Sequence, residues 1–174
     1  MENTNSTTGR IASALAADFI GDAAVTRRVL ERVPAEKFDW TPHEKSMPFG
    51  RLAGHIAELQ GFPVMIMKED GLDFAEREYK PFEPTSNEEL LKFFDEAVAA
   101  SKAAILAMSD EDLHKDWTLR SGETVFFTLP KIGAVRAMVS GHGIHHRGQL
   151  SVYLRLNDIP VPSIYGPSAD ENAG

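Results

Sequence analysis

A chain of 174 residues, 43% hydrophobic and 25% charged, is long enough for one well-packed domain and short for two. It has no cysteine, which excludes disulfides, thiolate metal sites and a cysteine nucleophile, so any metal must be held by histidine, carboxylate, backbone oxygen or water. The net charge of −8 argues against nucleic acid as a partner, because affinity for phosphate backbones rests on Lys and Arg.

No apolar run approaches the ~20 residues of a membrane span, and the polar stretch Met1 to Gly9 lacks the basic-then-apolar order of a signal peptide. The reading is a cytoplasmic protein with no membrane partner. The first predicted helix runs from about Thr8 to Arg32, with Ile11, Leu15, Val25 and Val29 on one stripe, and Pro34 ends it. Glu36 to Met47 is an aromatic connection.

The second helix starts near Pro48 and carries Leu52, His55, Leu59, Phe62 and Ile66 at alternating steps of three and four, the core stripe of a bundle helix. Pro63 should kink or divide it. Gly71 to Pro84 reads as a loop rich in charge and proline. The third helix opens with Ser86-Asn87-Glu88-Glu89, a capping box, and continues through Leu90, Phe94, Ala97, Ala104 and Met108. Trp117 to Thr128 alternates around Ser121-Gly122 and predicts a short β-hairpin.

The fourth helix begins near Thr128-Leu129-Pro130 and runs to Leu156. The remaining tail holds Pro160, Pro162 and Pro167 and ends in an acidic stretch expected to fray. These patterns predict an all-α, up-and-down four-helix bundle with a small β-hairpin insertion before the last helix. Residues 1–174 form a single domain in this reading, with 1–8 and 168–174 flexible.

Six histidines are the chemistry-bearing residues. On the fourth helix Ile132, Val135, Val139, His142, His146, Gln149, Tyr153 and Leu156 follow steps of three and four, a seam facing one direction whose middle is polar. Ala134, Met138, Gly141, His145, Gly148 and Val152 form a second stripe, whose small residues suit close approach of another helix. The ligand pair could be His142 with His145 or His142 with His146, and the shared seam favours the latter. Residues four apart stack on one face, so both imidazoles can reach a common ion. His55, mid-stripe on the second helix, is the natural third ligand. Burying three imidazoles without a shared partner would leave several polar nitrogens to satisfy.

His145 reads as an interface or outer-sphere residue, and His43 and His114 as solvated loop residues. Glu58, three residues after His55, reads as a solvated glutamate rather than a partner of the site. Asp22 reads as a residue on the flank of the first helix rather than a carboxylate near the metal. No Glu lies between His142 and His146, so this is not the His-Glu-x-x-His motif of zinc proteases.

The segment Arg51 to Leu59, Arg-Leu-Ala-Gly-His-Ile-Ala-Glu-Leu, and the segment His142 to Arg155, His-Gly-Ile-His-His-Arg-Gly-Gln-Leu-Ser-Val-Tyr-Leu-Arg, together resemble the DinB-like (damage-inducible, YfiT-like) metalloprotein family. The likeness extends to Phe38-Asp39-Trp40-Thr41-Pro42 and to Pro162-Ser163-Ile164-Tyr165-Gly166-Pro167. The resemblance implies an up-and-down four-helix bundle, often a homodimer, binding a divalent metal (zinc or nickel) through residues matching His55, His142 and His146. It also implies thiol S-transferase chemistry on a small-molecule substrate, in which the metal holds a low-molecular-weight thiol such as mycothiol, bacillithiol or glutathione as thiolate. Hydrolysis by metal-activated water and a non-catalytic metal-binding stress-response role are the alternatives. Tyr165 and the region of Pro63 are expected to wall the pocket.

Overall fold

The computed structural model describes residues 9–172; the expected flexibility of residues 1–8, Ala173 and Gly174 lies outside them. The chain is mostly helical. Helix α1 (Arg10–Leu30) is followed by α2 (Phe49–Leu59) and α3 (Phe62–Lys68), the two pieces into which Pro63 divides the second predicted helix. A proline has no N–H to offer an interior helical bond, but at the start of a new helix that donor is not needed. Helix α4 (Asn87–Leu106) begins at the predicted cap, where Ser86 Oγ accepts the Glu89 N–H at 3.1 Å. The reciprocal bond is displaced by one residue: the Glu89 carboxylate accepts the N–H of Thr85 at 2.7 Å.

The mostly helical fold is as expected, but the strands go beyond a hairpin. Strand β1 (Gly71–Asp73) lies at the start of the predicted loop and pairs in parallel with β2 (Asp116–Ser121), which pairs antiparallel with β3 (Thr124–Pro130). The result is a three-stranded sheet in the order β1-β2-β3. The turn between β2 and β3 is made by Gly122 at φ +55°, a conformation open to glycine at no steric cost.

The last predicted helix is continuous in three parts: α5 (Lys131–Val135), a π-helical turn (Arg136–Gly141) and α6 (His142–Leu156). Such single-turn widenings insert a residue into a helix and often adjoin functional sites. This one ends where the histidines begin.

Helix α1 packs against α4 and α6, and α2 packs against the same pair. The core divides into two apolar clusters, one around Leu15, Phe19, Ile66, Ile105, Trp117 and Val139, the other around Leu30, Phe49, Ile56, Phe94, Leu150 and Leu154. Between them lies a polar layer with contributions from each long helix. Gln60 falls between the clusters at the end of α2, Ser101 on α4, and His146 and Arg147 on α6, all buried. The layer is hydrogen-bonded internally, as buried polar groups must be. Ser101 Oγ donates to Gln60 O at 2.5 Å, and Arg147 Nη1 donates to Thr26 Oγ1 at 2.7 Å and to Asp22 O at 3.1 Å on α1.

The tail also departs from expectation. Asp170 pairs with Arg155 and accepts the Val161 N–H at 2.9 Å, while Glu171 meets Arg28 at 2.6 Å and Arg32 at 2.5 Å. Acidic residues that looked free to fray meet basic residues near the ends of α1 and α6, and the chain is held as far as Glu171.

Candidate metal centre

The polar middle of α6 faces α2, and this places His142 and His146 opposite His55. One nitrogen from each ring lies within 4.8 Å of the others, so the three could hold a metal ion. The His55 ring centroid stands 5.2 Å from that of His142 and 4.8 Å from that of His146. His142 Nε2 and His146 Nε2 are 2.8 Å apart. Two nitrogens on one tetrahedral ion with bonds of about 2.0–2.1 Å stand about 3.3 Å apart, so the pair needs to open by only about half an ångström.

The outer nitrogens are spoken for. His55 Nδ1 lies 3.2 Å from Glu58 Oε2, and His146 Nδ1 lies 2.7 Å from Gln149 Oε1. Both partners are acceptors, so both rings carry their proton on Nδ1 and present a lone pair on Nε2 toward the cluster. His142 then donates its Nε2–H to His146 and must change tautomer to act as a third ligand.

Glu58 is the hub of the arrangement. Its side chain is 10% exposed and accepts from His55, from Arg51 Nη2 at 3.0 Å, from the Tyr79 hydroxyl at 2.7 Å and from the Phe82 N–H. Burial alone would raise its pKa, but the bonds from His55, Phe82 and Tyr79 and the Arg51 charge bring it down to about 2. The loop that supplies Tyr79 and Phe82 crosses α2 directly above Gly54, where a Cβ would stand 2.5 Å from Phe82 O. Glycine at that position is what lets the loop lie on the helix beside His55.

The family model described as DinB superfamily matches residues 19–150, a span containing every residue of this cluster. This chain belongs to the DinB superfamily. It is 27% identical to the uncharacterized protein YrdA of Bacillus subtilis (strain 168) over 151 residues, 86% of this chain and 85% of that protein. Its fold is similar to that of a DinB-like protein from Bacillus cereus ATCC 10987 (TM-score 0.67, 21% identity, 88% of this chain and 97% of the other). It is also similar to YjoA, a DinB-like protein from Bacillus subtilis (TM-score 0.64, 18% identity, 84% and 95%).

The remaining residues singled out in this DinB-superfamily sequence go elsewhere. His145 is exposed, its ring 4.9 Å from that of His146, and is not part of the three-histidine group. His43 and His114 are exposed, as expected. Glu58 is half-buried and bonded to His55 rather than solvated. Asp22 accepts the Tyr165 hydroxyl, and its Oδ1 lies 3.8 Å from Arg147 Nη2. Tyr165 therefore does not wall the histidine pocket; it stacks on the buried Arg147, whose guanidinium carbon is 4.7 Å from the ring centroid. Gln149 and Leu156, placed on the seam, are exposed, although Gln149 still reaches His146. Arg51 went unnoticed in the sequence, although it sits one turn before His55 on the same face.

The imidazoles set a pH dependence for the metal-free protein. Burial, reinforced by the neighbouring histidines, pushes His142 down to about 4, and burial also lowers His146 despite its bond to Gln149. Between the unfolded value near 6.5 and about 4, the unfolded chain binds more protons than the native one, so native stability falls as pH falls through that window. Glu58 adds a lower window: its contribution is present above its ordinary value of 4.5 and is lost as pH drops toward 2. Urea unfolding of chelator-treated protein at pH 7, 5.5 and 4.5 should give a steadily falling midpoint, and an unchanged midpoint contradicts imidazoles held neutral by burial.

Proposed function

We propose that this protein is a metal-dependent enzyme of the thiol S-transferase type, acting on small electrophiles, with one zinc or nickel ion held by His55, His142 and His146. The observation that carries the reading is the donor set: three imidazole nitrogens converging from two helices, two of them oriented by hydrogen bonds to their outer nitrogens. All-imidazole sites suit zinc and nickel, and three protein ligands leave a coordination position open, the pattern of reactive rather than structural zinc. A divalent ion bound there lowers the pKa of a thiol or water that joins it.

In the proposed reaction the sulfur of a low-molecular-weight thiol forms a bond to the electrophilic carbon, the leaving group departs with its electron pair, and the thiol proton passes to solvent. Glu58 and Gln149 keep the His55 and His146 rings aimed. Arg51, whose Nη1 is buried without a partner, offers a donor beside Glu58 suited to a carboxylate of the thiol. The same reading takes the long helices as an up-and-down four-helix bundle and the chain as a cytoplasmic homodimer. The dimer would form through the face of α6 that exposes Ile144, His145, Gly148 and Val152, whereas Ala134, on the same predicted stripe, is buried in the core.

The test is zinc-loaded protein offered mycothiol, bacillithiol or glutathione with a panel of alkyl and aryl halides. Zinc-dependent loss of free thiol is the expected result. Turnover of an ester and amide panel instead would identify a hydrolase, and no turnover of either kind would leave a metal-binding protein without catalysis. Sedimentation of the same sample at micromolar concentration should read a dimer mass.

A further inference from the structure

His55, Glu58, Phe62 and Met65 follow steps of three, four and three along α2 and α3. The junction between the two helices keeps a near-helical backbone, with φ −68°, ψ −19° at Gln60 and φ −84°, ψ −17° at Gly61. The four side chains therefore share one face, with Glu58 about 4.5 Å and Phe62 about 10 Å along the axis from His55.

A cavity of about 290 Å³ opens along this face, starting at Glu58 and continuing over Phe62, Met65, Leu72, Phe74 and Tyr79. Its wall changes character in one direction. At the end nearest His55 stands a carboxylate that already accepts four hydrogen bonds and has no need of a ligand. Beyond it the surface is mostly thioether, phenyl and leucine, with the exposed Arg77 and Glu78 also on its lining and Arg77 Nη1 3.3 Å from Met65 Sδ. The cavity between β1 and β2 contrasts with it: Asp70, Asp73, Glu76 and Arg120 line that one, and none belongs to the histidine cluster.

We infer that the cavity below His55 is the subsite for the apolar group of the substrate, and that it selects small electrophiles bearing an aryl or branched alkyl group. This rests on the histidine cluster being the reaction centre. The volume is at the low end of small-molecule sites, which run to roughly 300–1,000 Å³, so it fits one or two fused rings. Water gains little in such a cavity, whereas an apolar group leaves bulk water on entering it. Phe74 and Tyr79, 44% and 56% exposed, form the rim through which the group enters, with Phe74 edge-on to Phe126 at 6.3 Å. A ring seated over Phe62 and Met65 lies about 10–15 Å along the face from His55, so the electrophilic carbon it serves is joined to the ring by a chain of several atoms running past Glu58.

The probe is 1-naphthalenemethanol, which carries the apolar group without a reactive carbon. Its affinity is read by equilibrium dialysis, and its place by the methyl resonance of Met65 in methionine-labelled protein. Saturable binding with the largest shift at Met65 is expected for chelated and zinc-loaded protein alike. Gly61→Leu fills the cavity from a position where a new Cβ meets only Glu58 O, at 3.4 Å. It should weaken binding about tenfold or more, with zinc content unchanged. Met65→Gln should weaken it in the same direction if the leucine variant fails to fold. Binding that leaves Met65 unshifted, or that survives both substitutions, overturns the subsite. Failure of the wild-type protein to take up zinc overturns the metal reading and leaves the probe result standing on its own.

Discussion

Changing His55, His142 or His146 to alanine is expected to abolish stoichiometric zinc uptake at limiting metal, while changing His145 to alanine leaves it intact. Structural zinc in a four-ligand site is worth about 10–16 kcal/mol at pH 7, so each ligand accounts for several kcal/mol and its loss lowers affinity by about a hundredfold or more. The contrast with His145 is sharp because that residue adjoins His146, shares its residue type and differs only in facing solvent. Elemental analysis after dialysis against substoichiometric zinc reads the result directly. If all three variants keep their zinc, the assignment fails, and loss of zinc in His145→Ala alone would move the site to the other face of α6. His142→Ala has a second signature: without an imidazole that burial pushes down to about 4, the metal-free protein should lose part of its acid sensitivity between pH 6.5 and 4, the rest staying with His146.

That pairing of His142 with His146 was legible because periodicity on one helix needs no partner to be read. The steps of three and four from Ile132 to Tyr153 survive the π-helical turn at Arg136–Gly141, which left no trace in the sequence: widening one turn changes backbone bonding, not residue type. The seam misled at its end. Gln149 and Leu156 keep the spacing but are exposed, while Tyr153 between them is buried against Phe49 of α2 and Leu150 and Leu154 supply the neighbouring burial. Strand β1 was invisible for a different reason. Three residues, a glycine and an aspartate among them, have no alternation to read, and they are extended because β2 lies beside them.

Glu58 was read as solvated because the sequence gives no hint of what will lie over a helix surface. The clue was Gly54, four residues earlier on α2, which is meaningful only once the loop through Phe82 is known to cross there. Tyr165 was misplaced by the same limitation: aromatic tail residues fold back somewhere, and the buried guanidinium of Arg147 decides where. Local pattern located the ligands, and the groups that orient them come from segments distant in sequence.

Glu58→Gln tests the orienting part alone. The amide keeps the side chain's shape and one acceptor oxygen, but loses the charge that fixes the His55 proton on Nδ1 and balances Arg51. Removing such an outer partner of a metal-binding histidine lowers metal affinity by about 10–100-fold. It should also cost the metal-free protein about 2 kcal/mol, since charge-assisted hydrogen bonds in a half-buried setting become neutral ones. Tyr79→Phe separates the two roles of the carboxylate, because it removes a tether of the overlying loop and leaves the His55 contact in place. Its zinc affinity should match the wild type, while hydrogen exchange across residues 79–82 speeds up. Calorimetric titration of both variants with zinc distinguishes the cases. If Glu58→Gln binds zinc as tightly as the wild type while its loop exchanges faster, Glu58 acts as a clamp on the loop, and His55 is aimed by helix packing without it.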